Sequence, residues 1–222
     1  MTPRSLLATL KTFIERSYAM PPAIGDLCPF IVGDLGYRSL YGGTPAAAAV
    51  RGAGARVLVR QEGATVRAAL YYPDALVRHL ERHNPLVGLG DVNIDAFAVF
   101  VEELDHLLTM ASRAIEGRPV TLLELEHHAN VTKYLVVLHF LGKQSGRNRV
   151  PEALRAWARH HLFERYVSGS GEEEVRYRDA ARLARRYLGY LETIPIAERH
   201  AELRALQRRP FSEVLRLAAG LN

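Results

Sequence analysis

The sequence contains one cysteine, Cys28, among its 222 residues. A single cysteine cannot form an internal disulfide bond, so a disulfide framework is excluded and we expect a reducing cytoplasm. No apolar run approaches the roughly 18–20 residues that a membrane-spanning helix needs. The first twenty residues include Lys11, Glu15 and Arg16 and lack the apolar centre of a secretory signal. We therefore predict a cytoplasmic protein that does not interact with membranes.

Lysine is also scarce: Lys11, Lys133 and Lys143 are the only lysines among 29 basic residues, and the rest are arginines. The formal net charge is +5, which raises the question of nucleic-acid binding. An arginine bias arises from a GC-rich genome as easily as from selection for phosphate binding, and these arginines are interleaved with glutamates. A protein or peptide is therefore a better-supported partner than nucleic acid, and the sequence leaves the oligomeric state open.

The overall composition is that of a globular protein, with 48% hydrophobic and 24% charged residues. Apolar residues at helical spacing predict a first helix over residues 3–18, which two prolines end. Residues 24–54 are rich in glycine, proline and alanine and are predicted to be loop with one short strand. Two extended runs, 56–60 and 65–72, lie on either side of a glycine and predict a β-hairpin.

Helices account for most of the remaining pattern. The helical periods predict helices over residues 74–83, 94–116, 121–141, 151–167, 172–192, 196–207 and 211–219. Asp74 and Thr121 stand where side chains cap the first turn of a helix. A polar linker at 142–149 predicts a boundary between residues 1–141 and a C-terminal helical part, 150–222, although one continuous domain also fits. The predicted fold class is α+β and predominantly helical, with a small antiparallel hairpin or three-stranded sheet packed on a helical body.

The two central helices carry a dense set of acidic residues and histidines. Glu102 and His106 are one turn apart and therefore share a face of the first helix. The second helix begins with Glu124, Glu126 and His127, and its later half is apolar nearly all round, which indicates a buried element. An exposed Glu–His pair would only stabilise its helix by a few tenths of a kcal/mol. A buried set needs polar partners or a metal to offset its lost hydration.

The five residues that begin at Glu102, EELDH, resemble the HExxH helix of the zincin metallopeptidases, with a glutamate in place of the first histidine. In the gluzincin branch the third ligand comes from a following helix, and here Glu126 stands twenty residues after His106. The order of elements (helix, small sheet, active-site helix, ligand helix) is also similar to a minimal zincin. The resemblance implies that Glu102 and His106 bind zinc. Glu126 or His127 would be the third ligand, and Glu103 the general base.

The sequence departs from that family at the first ligand, where Glu102 replaces a neutral imidazole with an anion. A carboxylate-rich set with one open position can hold zinc, but it also suits manganese or iron. Loss of the first histidine is also what an inactive relative of a peptidase would show. The resemblance therefore implies either a metal-dependent peptide hydrolase or an inactive relative that uses the fold for binding.

The same residues also form two ExxH pairs, Glu103 with His106 and Glu124 with His127. Such pairs put a carboxylate and an imidazole on one helix face and occur in di-iron helical bundles. The turn between the two helices counts against this arrangement, because it places His106 level with about Val131. A di-iron bundle would also need two further inward-facing glutamates, which the sequence does not identify.

A third interpretation needs no metal. Glu124 can close the capping box of the second helix, and Lys133 can pair with Glu126 or Asn130 in a buried polar network. The protein would then be a non-enzymatic helical interaction or regulatory module without a cofactor. Its partner surface would be the C-terminal helices, which carry many arginines and tyrosines. Bound metal distinguishes the interpretations, because only the metal-dependent ones require it.

Overall fold

The structure is a computed structural model that describes residues 5–41, 54–63, 65–146, 149–165 and 171–220. Within these ranges it contains nine α-helices, a 3₁₀ turn at Cys28–Phe30, a π-helical turn at His160–Glu164 and three strands, which confirms the predominantly helical α+β class. The α-helices are α1 (Leu6–Tyr18), α2 (Asp34–Tyr41), α3 (Asp74–Arg82), α4 (Ile94–Ile115), α5 (Leu122–Ser145), α6 (Glu152–Arg159), α7 (Glu172–Thr193), α8 (Ile196–Arg208) and α9 (Phe211–Ala219).

The sheet has three strands, β1 (Ile31–Val32), β2 (Arg56–Glu62) and β3 (Thr65–Tyr71), in the order β1-β3-β2. The predicted hairpin is therefore present, with β2 antiparallel to β3, while β1 pairs with β3 in parallel. Gly63 follows β2 and has a φ of 60°, which glycine adopts without strain. The sheet packs against α4, and the Tyr72 hydroxyl donates to the carbonyl of Phe100 on that helix at 2.6 Å.

Helix α2 corrects the prediction of loop for residues 24–54, of which 42–53 lie outside the described residues. Tertiary contacts hold its first residue: Tyr71 donates its hydroxyl to Asp34 Oδ1 at 2.8 Å, and the backbone N–H of Asp34 donates to Asp74 Oδ1 at 3.1 Å. The cap predicted at Asp74 is displaced by one position, because Pro73 precedes α3 and Asp74 is its first residue. The apolar runs in residues 24–54 are too short to show a helical period, so the sequence pattern did not indicate this helix.

The antiparallel pair α4 and α5 forms the centre of the molecule. Thr121 caps α5 as predicted, since its hydroxyl accepts from the backbone N–H of Glu124 at 3.2 Å. The helix continues four residues beyond the predicted end, to Ser145, and ends at Gly146 in the left-handed region. Because α5 packs against α4, α6 and α7, most of its side chains are buried, including several polar ones.

The C-terminal helices pack onto the N-terminal part. Helix α7 lies against α5, and α8 lies against α1. One hydrophobic core accordingly includes residues from both sides of the predicted linker, such as Leu10, Leu104, Val137, Leu188 and Leu206. The helix predicted over residues 151–167 is α6 followed by the π-helical turn, and residues 166–170 lie outside the described ranges. No described helix combines the length and the apolar character needed to cross a membrane.

Candidate metal centre

Three of the predicted ligands come together where α4 faces α5. Glu102 and His106 lie one turn apart on α4, and Glu126 approaches them from the first half of α5. Each offers one ligand atom, and these atoms all lie within 4.8 Å of one another. The distance between His106 Nε2 and Glu126 Oε2 is 3.7 Å. The turn at 116–121 is therefore long enough to bring Glu126, rather than Glu124, next to His106.

Two atoms of this group are buried and have no hydrogen-bond partner: His106 Nε2 and Glu126 Oε2. Buried polar atoms without partners are rare in folded proteins, and each needs an explanation. A metal bound between the two atoms would satisfy both of them. Ligand atoms about 2.0–2.2 Å from a zinc ion lie roughly 3–4 Å from one another, which agrees with the 3.7 Å separation. The spacing of His106 and Glu126 therefore fits two ligands of a divalent metal, and Glu102 offers a third ligand atom within 4.8 Å of them.

Glu103 lies on the other side of the His106 ring. Its Oε2 is 3.7 Å from His106 Nδ1 and accepts the backbone N–H of Val57 at 2.9 Å. Val57 is on β2, an edge strand of the sheet. The Glu103 carboxylate therefore accepts a hydrogen bond from a backbone N–H that has no partner within the sheet. A carboxylate beside the second nitrogen of a metal-binding histidine fixes the tautomer and orientation of the ring. Glu103 is therefore placed to orient His106.

In the part of the chain that the structure describes, Lys133 supplies the positive charge closest to the triad. Its Nζ donates to Glu102 Oε2 at 2.6 Å, and both side chains are largely buried. The partner is thus Glu102 on α4, whereas the sequence suggested Glu126 or Asn130 on the same helix. Asn130 instead donates to the backbone carbonyl of Glu126 at 2.8 Å. A weaker contact of 4.0 Å joins Arg176 Nε of α7 to Glu126 Oε1.

The charges of the triad act strongly on one another. Burial alone would lower the pKa of His106, but the carboxylates of Glu103, Glu102 and Glu126 together raise it to about 9. Burial, opposed by His106 and reinforced by Glu102, raises the pKa of Glu126 to about 7. Burial also disfavours the Glu102 anion, but Lys133 and His106, together with a hydrogen bond from Glu126, outweigh this effect and lower the pKa of Glu102. The centre is thus an electronegative environment that favours a cation.

His127 is not among the residues that the structure brings together. Its ring is fully buried between Tyr187 and Phe211, with centroids 5.7 and 5.6 Å away. Burial and the neighbouring His128 lower its pKa to about 3, so the ring is neutral. The second ExxH pair is not assembled either, because Glu124 Oε1 accepts from Arg113 Nη2 at 2.5 Å.

A second buried polar cluster lies beside the triad, and the sequence pattern did not single it out. Asp105 Oδ1 accepts from the Thr132 hydroxyl at 2.7 Å, and its Oδ2 is 2.8 Å from His128 Nδ1. Thr132 in turn lies 2.9 Å from the hydroxyl of Tyr18 on α1. These bonds cross from α4 to α5 and fix the register of the two helices next to His106. His128 and Thr132 lie one turn apart on α5, and this spacing was the feature of the sequence that could have indicated the cluster.

A cavity of about 430 Å³ opens beside the triad. Glu102 is a member of the triad and also lines the cavity. Lys133 and Asn130 line the cavity near Glu102. Tyr177 of α7 also lines it, and burial together with the charges of Glu126 and Glu102 raises the pKa of that phenol. Any molecule in the cavity would therefore reach the triad from the Glu102 side.

Comparison of this chain with protein-family models, with curated proteins and with solved structures found no match.

Proposed function

We propose that the protein is a metal-dependent hydrolase whose metal is held by Glu102, His106 and Glu126. The observation that carries the proposal is the pair of buried, unpartnered atoms, His106 Nε2 and Glu126 Oε2, 3.7 Å apart. The charge of the site supports it, because the same carboxylates that raise the pKa of His106 attract a cation. Peptides are the substrate class that the zincin resemblance implies.

The donor set favours zinc, with manganese or iron as alternatives. One imidazole and two carboxylates belong to the ligands that zinc accepts in catalytic sites with an open position. The excess of oxygen donors also suits manganese or ferrous iron. A divalent metal in this site would supply a Lewis acid that polarises a substrate carbonyl.

The residues of the chain around the triad have distinct roles in this proposal. Glu103 faces the Nδ1 side of His106 and orients its ring, and the zincin resemblance implies that Glu103 also acts as the general base. Lys133 neutralises Glu102 and stands at the end of the cavity, where it can donate a hydrogen bond to a substrate oxygen. Asp105 fixes α4 against α5 and so keeps the ligands in register.

The first experiment is elemental analysis of the purified, untagged protein beside two histidine variants. The His106→Ala variant removes the nitrogen ligand, whereas His160→Ala removes an exposed histidine and serves as the matched control. We expect one equivalent of zinc, manganese or iron in the wild type and in His160→Ala, and less than a tenth of that in His106→Ala, because loss of one of three protein ligands removes most of the affinity. A metal-free wild type would show that the proposal is wrong.

A second function is favoured by the contact between Lys133 and Glu102. At 2.6 Å this ion pair already satisfies one carboxylate of the triad without a metal. The cluster would then be a buried polar network within a non-enzymatic interaction module. That function predicts no bound metal and a partner that still binds after His106→Ala, which a pull-down with both proteins would measure.

A further inference from the structure

The cavity beside the triad has one apolar wall and one polar end. Side chains of α4, α7 and the π-helical turn form the apolar wall. They are Ala98 and Val99 of α4, Leu162 and Phe163 of the turn, and Ala181 of α7. The polar end is made by Glu102, Lys133 and Asn130. This division is typical of small-molecule sites, in which apolar side chains bind the body of a ligand and a few polar groups fix its orientation.

The π-helical turn contributes the two largest side chains of the apolar wall. Residues His160–Glu164 follow α6 directly, and in this turn His161, Leu162 and Phe163 all become buried. Such turns are rare and occur frequently at functional sites, because the extra residue redirects side chains. Here the turn directs two large apolar side chains, Leu162 and Phe163, at the cavity.

Several charged and titratable side chains that line the cavity already have partners within the protein. Arg165 Nη1 contacts both carboxylate oxygens of Asp95 at 3.2 Å, and His161 Nδ1 is 2.8 Å from the same guanidinium nitrogen. Glu174 accepts the backbone N–H of Gly171 at the start of α7. These side chains are therefore engaged with the protein, and the apolar wall is left as the main surface for a ligand.

We infer that the cavity binds the acyl part of the substrate, so that the substrate class is amides or esters with an extended apolar acyl group. The apolar wall would hold the chain, and the carbonyl would lie at the polar end, beside Glu102. A peptide with a large apolar side chain before the scissile bond belongs to this class. The inference rests on the proposed function, because it assigns the carbonyl to the metal end of the cavity.

Two hydroxamic acids test this inference on the metal-loaded protein. Acetohydroxamate and octanohydroxamate share a group that binds divalent metals, but only the second has a chain that can enter the cavity. Each buried methylene strengthens binding about fourfold, so burial of three or more of the six extra carbons gives octanohydroxamate an affinity at least about fiftyfold higher. Isothermal titration calorimetry measures both affinities.

A variant that fills the cavity provides the control. Ala181 is half-buried on α7 and lines the cavity, so Ala181→Trp is expected to reduce the preference for octanohydroxamate to below fivefold without weakening acetohydroxamate. Ala201→Trp places the same side chain at an exposed position of α8 and should change neither affinity. Val99→Asp, at a partly exposed position of the same wall, replaces Ala181→Trp if circular dichroism shows that the tryptophan variant does not fold.

The outcomes separate this inference from the proposed function. A metal-loaded wild type with equal affinity for the two hydroxamates would overturn the acyl-binding inference and leave the metal centre intact. A preference that survives in both Ala181→Trp and Val99→Asp would also overturn it, because the chain would then bind elsewhere. If elemental analysis finds no metal in the wild type, the proposed function fails, and this inference fails with it.

Discussion

Replacement of Lys133 by methionine tests how the metal-free centre is stabilised. The Lys133 ammonium is 2.6 Å from Glu102, and it is the closest positive charge to the triad among the described residues. Methionine keeps the unbranched apolar stem of lysine, one heavy atom shorter, but removes its charge. Without that charge the carboxylates of Glu102, Glu103 and Glu126 would face one another across His106. We therefore expect the metal-free variant to be less stable and the metal to bind more tightly.

The size of the effect follows from the burial of the pair. Removal of one partner of a buried ion pair costs about 3–5 kcal/mol, because the other charge is left without compensation. The two side chains are 11% and 16% exposed. Solvent therefore recovers part of the loss, and we expect about 3 kcal/mol, the lower end of that range. For a chain of this length, the melting temperature should fall by about 6–12 °C.

Metal should reverse most of this loss. A metal at a hundred times its dissociation constant stabilises the folded state by about 2.7 kcal/mol. It would also replace Lys133 as the counter-charge of Glu102, so we expect its affinity for Lys133→Met to exceed that for the wild type by at least about tenfold. Thermal melts followed by circular dichroism, with EDTA and with added metal, measure the stability. Isothermal titration calorimetry measures the affinity.

Lys143→Met is the matched control, because Lys143 is exposed near the end of the same helix. It should leave both the melting temperature and the metal affinity unchanged. If Lys133→Met and Lys143→Met melt at the same temperature in EDTA, the buried pair does not contribute to stability as described. If metal binds no more tightly to Lys133→Met than to the wild type, Lys133 does not compete with the metal for Glu102.

Two further substitutions examine the residues beside the triad. Glu103→Gln keeps an oxygen for the N–H of Val57 but removes the charge that faces His106, so the metal affinity measured by calorimetry should fall about 10–100-fold. Unchanged affinity with lost hydrolysis would instead assign Glu103 as the general base. His127→Phe should leave the metal content unchanged and the free energy of unfolding equal or higher by up to about 1 kcal/mol, because a buried nitrogen without a partner is removed. Loss of metal from that variant in elemental analysis would contradict its placement between Tyr187 and Phe211.

The fold class and the pairing of Glu102 with His106 could be predicted because both depend on local spacing. The apolar residues of the hairpin recur with a period of two, and those of the long central helices with a period of 3.6 residues. The structure has strands and helices at these positions. The pair Glu102 and His106 follows from the geometry of one helical turn. Glu126 is predicted by the gluzincin resemblance, in which the third ligand comes from the following helix, and it stands twenty residues after His106.

The environment of the triad could not be predicted, because it depends on contacts between distant segments. Glu126 and His127 are neighbours in the sequence, but about 100° of rotation separates their directions on a helix. Only the packing of α5 decides that Glu126 faces His106 while His127 faces α7 and α9. The bond from Val57 to Glu103 likewise requires the edge strand to lie against α4. No pattern near Val57 or Glu103 encodes that contact.

The cavity and its π-helical turn also lie beyond what the pattern shows. Residues 151–167 have the spacing of an ordinary helix, and nothing in them indicates an extra residue in the turn at His160–Glu164. The energy of a π-helical turn depends on side chains that fill the space around it. Here those side chains include Tyr134 of α5, whose ring centroid is 6.0 Å from that of Phe163.

The position of the ligands within one helical hairpin has a consequence for how the protein folds. Contacts between residues close in sequence form faster than contacts between distant segments. Glu102, His106 and Glu126 all belong to α4 and α5, whereas the cavity also needs residues 161–163 and 177–181, which are synthesised later. The three candidate ligands can therefore come together before the cavity is complete. A metal ion captured by the growing chain would hold the central hairpin together while the C-terminal helices dock, so that metal supply during synthesis would influence the yield of folded protein.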